Sequence, residues 1–463
     1  MDAFTRTRRP TAVGIAVALV GTATAVLSTG TSAGAGPAPC RLVQLREPAR
    51  SYDGGVMDIE VVDGRAVYFG STIERDKRGV DHQRALVWHG LGAAPVRVGP
   101  SGYDEDIAFE LTESGLVNGQ SVEWETGTEV AWVQDLTTGR VTVLQTDSGP
   151  RGSDHGGMWM RRINDAGAVA GMVVRDPAQP WTDAVGFDTP EAAMELLPGS
   201  AEAADAVASG INNAGQRTGY LSTREIAEAP GWYWFDPVVW EADGSTTLLE
   251  MGGALDGAPR AVKDDGSVSG SVLYGASLDT SHVEPAYWPS PDLLITLGAL
   301  PGGDFGDVFG MDEGGWLVGA LGRFVKKNDR LGERGVMDHA FLWNPSVGEG
   351  RVRLLPSLYA TAKGEQDWRQ WQGSAVHAVN AELNQVASGS HSEFRHGRAI
   401  KAPTVWVNAD RCGTEVATTH DPFGLHPSAK PSIASRTDAR PPARGTAHTS
   451  VRAVKAWKRS THR

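Results

Sequence analysis

The residues best placed to do chemistry in this sequence are carboxylates that recur. Asp53, Asp104, Asp154, Asp205, Asp256 and Asp304 fall at intervals of 51, 50, 51, 51 and 48 residues. Carboxylate oxygens arranged in a ring could hold a Ca²⁺ ion. The competing reading is turn capping, because Asp bonds its own backbone in turns, and no D-x-D-x-D-G loop accompanies the series. Aromatic residues form the second candidate set. Trp232, Tyr233 and Trp234 are adjacent, and Trp368 and Trp371 flank Arg369. Such side chains suit stacking on sugar rings or gripping a polymer or protein. They would equally serve to plug the mouth of a channel.

Between residues 40 and 412 there is no G-x-S-x-G elbow, no H-E-x-x-H pair, no Walker loop and no dinucleotide glycine fingerprint. Asp81-His82 and Asp154-His155 are isolated pairs. No catalytic residue is assigned, and the expected class is a binding or structural protein with no cofactor beyond that Ca²⁺ option. The alternative is a polysaccharide hydrolase or lyase whose acid and base are carboxylates of long loops; their spacing belongs to the fold and not to the chain order.

The elements that must position these residues come from an internal repeat. A turn segment recurs as Val62-Asp63-Gly64, Glu113-Ser114-Gly115, Asn164-Asp165-Ala166-Gly167, Asn212-Asn213-Ala214-Gly215, Lys263-Asp264-Asp265-Gly266, Asp312-Glu313-Gly314-Gly315 and Asn380-Ala381-Glu382-Leu383-Asn384. A second glycine follows most of them, at 119, 171, 219, 270, 319 and 389, spaced 52, 48, 51, 49 and 70 residues apart. The other half of each unit is a short apolar run ending in an aromatic: Trp88, Trp132, Phe187, Trp240, Trp288, Trp343 and Trp406. A polar turn and a brief aliphatic run follow, as in Val141-Thr142-Val143-Leu144.

Four short strands in about 50 residues describe one propeller blade. The expected fold is all-β, a seven-bladed β-propeller over residues 40–412, with the recurring aromatics as blade core. The seventh unit lacks its last strand, and Leu42–Leu45 alternates as the fourth strands do, so the ring is expected to be closed by this N-terminal strand. That closure brings Cys40 beside Cys412, the two cysteines of the chain, as a disulfide clasp. Strand order also divides the faces. The tight glycine turns share one face, while the long loops, including those with Trp232 to Trp234, Lys326 to Arg330 and Trp368 to Trp371, share the other. The loop face is therefore the expected ligand face.

The phrases Ile211-Asn212-Asn213-Ala214-Gly215, Ile163-Asn164-Asp165-Ala166-Gly167, His339-Ala340-Phe341-Leu342-Trp343 and Leu297-Gly298-Ala299-Leu300-Pro301-Gly302-Gly303 resemble the extracellular HAF-repeat family over roughly residues 50–410. One unit carries the literal His-Ala-Phe; the others differ. The resemblance implies a secreted, repeat-built β protein and no particular reaction.

The ends of the chain bear on location. Arg6, Arg8 and Arg9 precede an uncharged Ala/Val/Leu-rich stretch, and Ala33-x-Ala35 has the form a signal peptidase cuts, so residues 1–35 read as a secretion signal. The mature chain is then extracellular and carries no membrane span. Residues 420–463 are rich in Pro, Ser, Thr and Ala, with nine basic residues against Asp421 and Asp438, and read as a disordered basic tail. The net charge of −13 excludes a dedicated nucleic-acid binder. The expected partner is an extracellular polymer, glycan or protein, met by a monomer.

Overall fold

The computed structural model describes residues 38–417 apart from 146–156, 177–178, 228–232, 276–280, 299–304, 327–332, 347–350, 356–373 and 396–397. Seven antiparallel meanders follow one another. Their innermost strands, in blades 1 to 7, are Ser51–Val62, Glu105–Leu111, Met158–Ile163, Asp205–Ile211, Asp256–Val262, Phe305–Met311 and Ser374–Asn380. The third strands end on the aromatics seen in the sequence, as in Asp81–Trp88 and Tyr233–Trp240. Each blade packs on the next, and blade 7 packs on blade 1, so the expected seven-bladed propeller is the fold.

The physical cause is burial. A four-stranded meander has two faces and cannot cover both alone; a ring of meanders covers each face with a neighbour. Trp88, Trp132, Trp240, Trp288, Trp343, Trp406 and Phe187 are all 2% exposed or less. The indoles also tie blades together. Trp88, Trp240 and Trp288 donate their Nε1–H to the carbonyls of Arg46, Pro198 and Glu250, at 2.6, 2.8 and 2.7 Å. Each acceptor lies just past the outer strand of the preceding blade.

Closure follows the expected route with a one-residue shift. Arg41–Gln44 pairs antiparallel with Thr404–Val407, so the N-terminal strand is the rim of blade 7. Cys40 and Cys412 form a disulfide across 372 residues. Two elements were not legible in the sequence. Arg398–Lys401 folds back on the outer half of Gln385–Arg395. Thr414–Ala417, where the sequence reads as fading out, adds a fifth strand to blade 6 against Arg351–Leu354. An added edge strand needs only one neighbour and little apolar content, which is why its sequence signal is weak.

All seven inner strands share one irregularity. Their register against the second strand slips by one residue at Met57, Phe109, Arg161, Ser209, Arg260, Phe309 and His377. The inner strands then crowd one another. A Cβ on Gly310 would meet the His377 carbonyl oxygen at 2.2 Å, and one on Gly210 would meet Ala261 Cα at 3.0 Å. Only glycine permits that approach.

Candidate functional site

The turn segments do more than reverse the chain. In Asn212-Asn213-Ala214-Gly215 the glycine takes φ +82°, as the tight turn demands. The first asparagine accepts from Gln216 N–H at 2.9 Å and donates to the Lys263 carbonyl of the next blade at 2.7 Å. Asn164 repeats this, accepting from Ala168 N–H and donating to the Asn212 carbonyl, both at 2.9 Å. The second residue works backwards around the ring. Asp165 accepts from Ser114 N–H at 2.8 Å, Asn213 from Asp165 N–H at 2.9 Å, and Asp264 from Asn213 N–H at 2.7 Å. The repeat signature is therefore a chain of blade-to-blade hydrogen bonds around the axial mouth.

These turns surround a cavity of about 290 Å³ on the axis. Its floor is Arg162, which spans the ring. It donates from Nη1 to Glu110 at 2.9 Å, from Nε to the Ser209 carbonyl at 3.2 Å and from Nη2 to the Phe309 carbonyl of blade 6 at 3.2 Å. Glu110 also accepts from Ile163 N–H at 2.7 Å, and Asp58 accepts from Leu111 N–H at 2.8 Å and Ile59 N–H at 2.9 Å. Both carboxylates are thus committed to joining neighbouring blades. Burial pushes the carboxyls of Asp58 and Glu110 up; the Leu111 amide acts against this at Asp58 and Arg162 acts against it at Glu110.

Glu60 differs from its neighbours. Its single hydrogen bond comes from Asn380 Nδ2 at 3.3 Å. Burial, followed by the charges of Asp58, Glu113 and Glu110, pushes its carboxyl up to about 10. All of these influences favour its protonated form. At the rim, Glu113, Asp264, Glu313 and Glu382 are exposed, and Glu113 is pushed up by partial burial and by Asp165, Glu382 and Asp264. The pocket is a funnel of acidic side chains with a salt-bridged floor. It can take a cationic group, which would relieve the mutual repulsion of the rim.

The funnel opens on the tight-turn face, opposite the face expected to bind. On the loop face the aspartate series caps backbone. Asp205 accepts from Thr182 N–H at 2.8 Å and Asp256 from Phe235 N–H, each reaching the third strand of the preceding blade, and Asp104 accepts from Trp124 N–H at 2.8 Å. Asp53 opens blade 1 within its inner strand. Asp154 and Asp304 lie outside the described residues. Among the described residues no group of three or more His, Cys, Asp or Glu is placed to hold a metal ion.

Of the aromatic candidates, Trp232, Trp368 and Trp371 lie outside the described residues. Tyr233 and Trp234 begin the third strand of blade 4 and are half-buried. Tyr233 meets Trp181 edge-on at 5.9 Å, and Trp234 packs on the core between blades 4 and 5. The sequence reading passed over Trp124, which is 44% exposed and stacked on His82 at 5.0 Å on the loop face. It sits in a short hairpin with no other aromatic, so no local signal marked it. The reading also passed over Glu60, Glu110 and Arg162, because nothing in chain order shows which inner-strand residues meet at the axis.

No protein-family model and no curated protein matches the chain. Solved structures similar to it include the β-propeller domain of the trilobed protease from Pyrococcus furiosus, described as having an open velcro topology, at 14% identity and TM-score 0.46, covering 80% of this chain and 98% of that one. An oligogalacturonate lyase from Vibrio parahaemolyticus is similar at 10% identity and TM-score 0.43, with 80% and 98% covered. An acylaminoacyl peptidase is similar at 12% identity and TM-score 0.42, with 80% of this chain and 53% of that one covered. The chain is a seven-bladed β-propeller by its own strand pairing and closure.

Proposed function

We propose that the protein is a secreted, non-catalytic binding propeller that receives a cationic group of an extracellular partner in the acidic funnel of its tight-turn face. The observation that carries this reading is the funnel itself: Glu60, Glu113 and Glu382 line one concavity, in which the Glu382 charge raises the proton affinity of Glu113 and the Glu113 charge that of Glu60. Asp58 and Glu110, by contrast, are used up in joining blades. The secretion signal, the disulfide and the resemblance to HAF-repeat proteins support an extracellular setting. The loop-face aromatics remain the competing surface for a glycan or polymer.

The test is a binding screen of the mature chain against basic peptides, polyamines and cell-wall glycans, repeated with Glu113→Gln/Glu382→Gln and with Trp232→Ala/Trp368→Ala. Loss of binding in the first pair and retention in the second is expected. The reverse pattern assigns function to the loop face.

A second reading, a hydrolase or lyase acting on polysaccharide, is supported by the place of Glu60: it lines a concave site where burial and neighbouring carboxylates raise its proton affinity. It requires a second working carboxylate, for which Glu113 at the rim is the available group. Cleavage of a polysaccharide by the wild type and its loss in Glu60→Gln would establish it.

A further inference from the structure

On the loop face, blade 1 carries a basic concavity in a chain whose net charge is −13. It measures about 470 Å³ and is lined by Arg50, Tyr52, Arg75, Asp76 and Lys77. That volume suits a small ligand or a short stretch of a polymer. Local structure aims these side chains. Tyr52 is an extra residue in the inner strand: Ser51 faces Glu74 and Asp53 faces Ile73, so Tyr52 bulges out of the strand's alternation. Its hydroxyl donates to Asp81, and the Arg75 guanidinium lies over its ring at 4.9 Å. Arg75 is fixed in turn by Asp81, to which it donates from Nε at 2.6 Å and from Nη2 at 2.8 Å.

Arg50 is held there against its own backbone preference. Among the described residues, four other than glycine have a left-handed φ. Asp63, Asn384 and Asn408 are of types that adopt it readily; Arg50, at +79°, is not. Glycine would suit the position better, and a strained residue beside a concavity is the mark of a working side chain. The cations there also outnumber their partners. Asp81 is taken by Arg75 and Tyr52, and Asp76 accepts the Arg78 and Val80 amides of its own hairpin, both at 2.8 Å. No hydrogen bond or ion pair among the described residues engages the side chain of Arg50 or Lys77, and both residues are exposed. An aromatic platform adjoins the concavity. His82 places Nε2 3.7 Å from Asp76 and stacks its ring on Trp124 at 5.0 Å, and Trp124 is 44% exposed. Glu123 and Glu125 flank that indole in the chain, so a ligand's negative charge belongs at Arg50 and Lys77 and a neutral ring on Trp124.

We propose that the loop face of blades 1 and 2 binds an acidic oligosaccharide, with its carboxylate or sulfate at Arg50 and Lys77 and an adjoining neutral sugar ring on Trp124. Guanidinium and ammonium groups recognise such acids through charge-assisted hydrogen bonds. The aromatic platform selects a sugar over a free inorganic anion, which has no apolar face to stack. The site stands independently of the funnel, with which it shares no residue.

The experiment is calorimetric titration of the protein at constant ionic strength with tetrasaccharides of hyaluronan and of heparin, the neutral tetramer of N-acetylglucosamine, and inorganic sulfate, with thermal melting alongside. At least one acidic tetrasaccharide should bind saturably and more tightly than sulfate, and the neutral tetramer should not bind. Binding of the hyaluronan probe identifies a carboxylate as the recognised acid, and binding of the heparin probe alone identifies a sulfate. Arg50→Gly should weaken the acidic tetrasaccharide by about tenfold, the loss of a charge-assisted hydrogen bond. The same variant should melt no lower than the wild type, because glycine accepts the left-handed backbone; a structural arginine would show the opposite. Lys77→Gln should weaken binding with the melting temperature unchanged. Trp124→Ala should weaken the tetrasaccharide and leave the affinity for sulfate as it is. Binding of neither acidic tetrasaccharide, equal binding of the neutral tetramer or of sulfate, or binding that survives both Arg50→Gly and Trp124→Ala overturns the proposal. Glu113→Gln/Glu382→Gln, on the opposite face, should leave this binding unchanged, so failure here is separable from failure of the funnel reading.

Discussion

At the scale of single residues, the repeat signature is explained by the backbone it satisfies. Asn212 has one carbonyl and one amide, and both are used: one inside its own turn, the other on the next blade. Alanine there would leave the Gln216 amide without its partner and cut the link to the Lys263 carbonyl, which keeps only the Gly266 amide of its own turn, a cost of about 2 kcal/mol by the measure of unsatisfied buried groups. Urea unfolding of Asn212→Ala should show it, while Ala214→Ser, on the exposed tip of the same turn, should not. Glu60 makes a prediction in pH. Its folded proton affinity is raised, so the folded state holds the proton where the unfolded chain has released it. Stability therefore falls as pH rises from about 4.5, the ordinary value, towards about 10. Glu60→Gln removes that dependence. Its melting temperature should exceed that of the wild type at pH 8, and the two should converge at pH 4. Equal pH profiles would show that Glu60 is not held protonated.

At the scale of elements, the third strand of each blade carries the main apolar anchor. Trp240 fills the gap between blades 3 and 4 with Leu197, Ala203 and Val238, and its indole N–H reaches back to Pro198. Trp240→Ala should lower stability by about 3–5 kcal/mol, the range for an aromatic removed from a packed core. Trp124→Ala, on the loop face and stacked on one side only, should change stability by less than about 0.5 kcal/mol. Chemical denaturation of both variants gives the comparison. Residues 414–417 make an instructive contrast. Their strand adds to the rim of blade 6 but closes nothing, so truncation after Gly413 should be mild.

At the scale of the whole molecule, stability depends on closing the ring. Two devices act at the same seam: Arg41–Gln44 completes blade 7, and the Cys40–Cys412 disulfide ties that strand to the turn that follows Thr404–Val407. The disulfide constrains a loop of hundreds of residues in the unfolded chain, which by loop-closure entropy is worth up to about 5 kcal/mol. Cys40→Ser/Cys412→Ser should keep the fold and lose stability on that order. Deleting residues 38–46 should cost more, because it removes Leu45 from the blade 7–blade 1 core and leaves Thr404–Val407 as a bare edge. Melting of the two variants under oxidising and reducing conditions separates the two contributions. A deletion no worse than the double serine variant would show that the strand adds nothing beyond the bond.

The local pattern of the chain determined the blade. Alternating apolar residues, the glycine turns and the recurring tryptophans each act over a few residues, so the all-β class, the count of seven, the core role of Trp240, Trp288 and Trp343 and the closing strand were all legible before any coordinates. The cysteine pairing was legible for a related reason: a ring has one seam, and both cysteines flank it. The tertiary structure alone decided which residues meet on the axis. Asp58, Glu60, Glu110, Arg162 and Asn380 come from blades 1, 2, 3 and 7, and their convergence depends on a bulge and on glycines such as Gly210 and Gly310 that let inner strands approach. Loop length pointed to the opposite face because long loops are visible in a sequence, whereas a concavity built from the ends of seven short strands is not. A strand's periodicity records which side of its own sheet is buried; it carries no record of what stands across the ring.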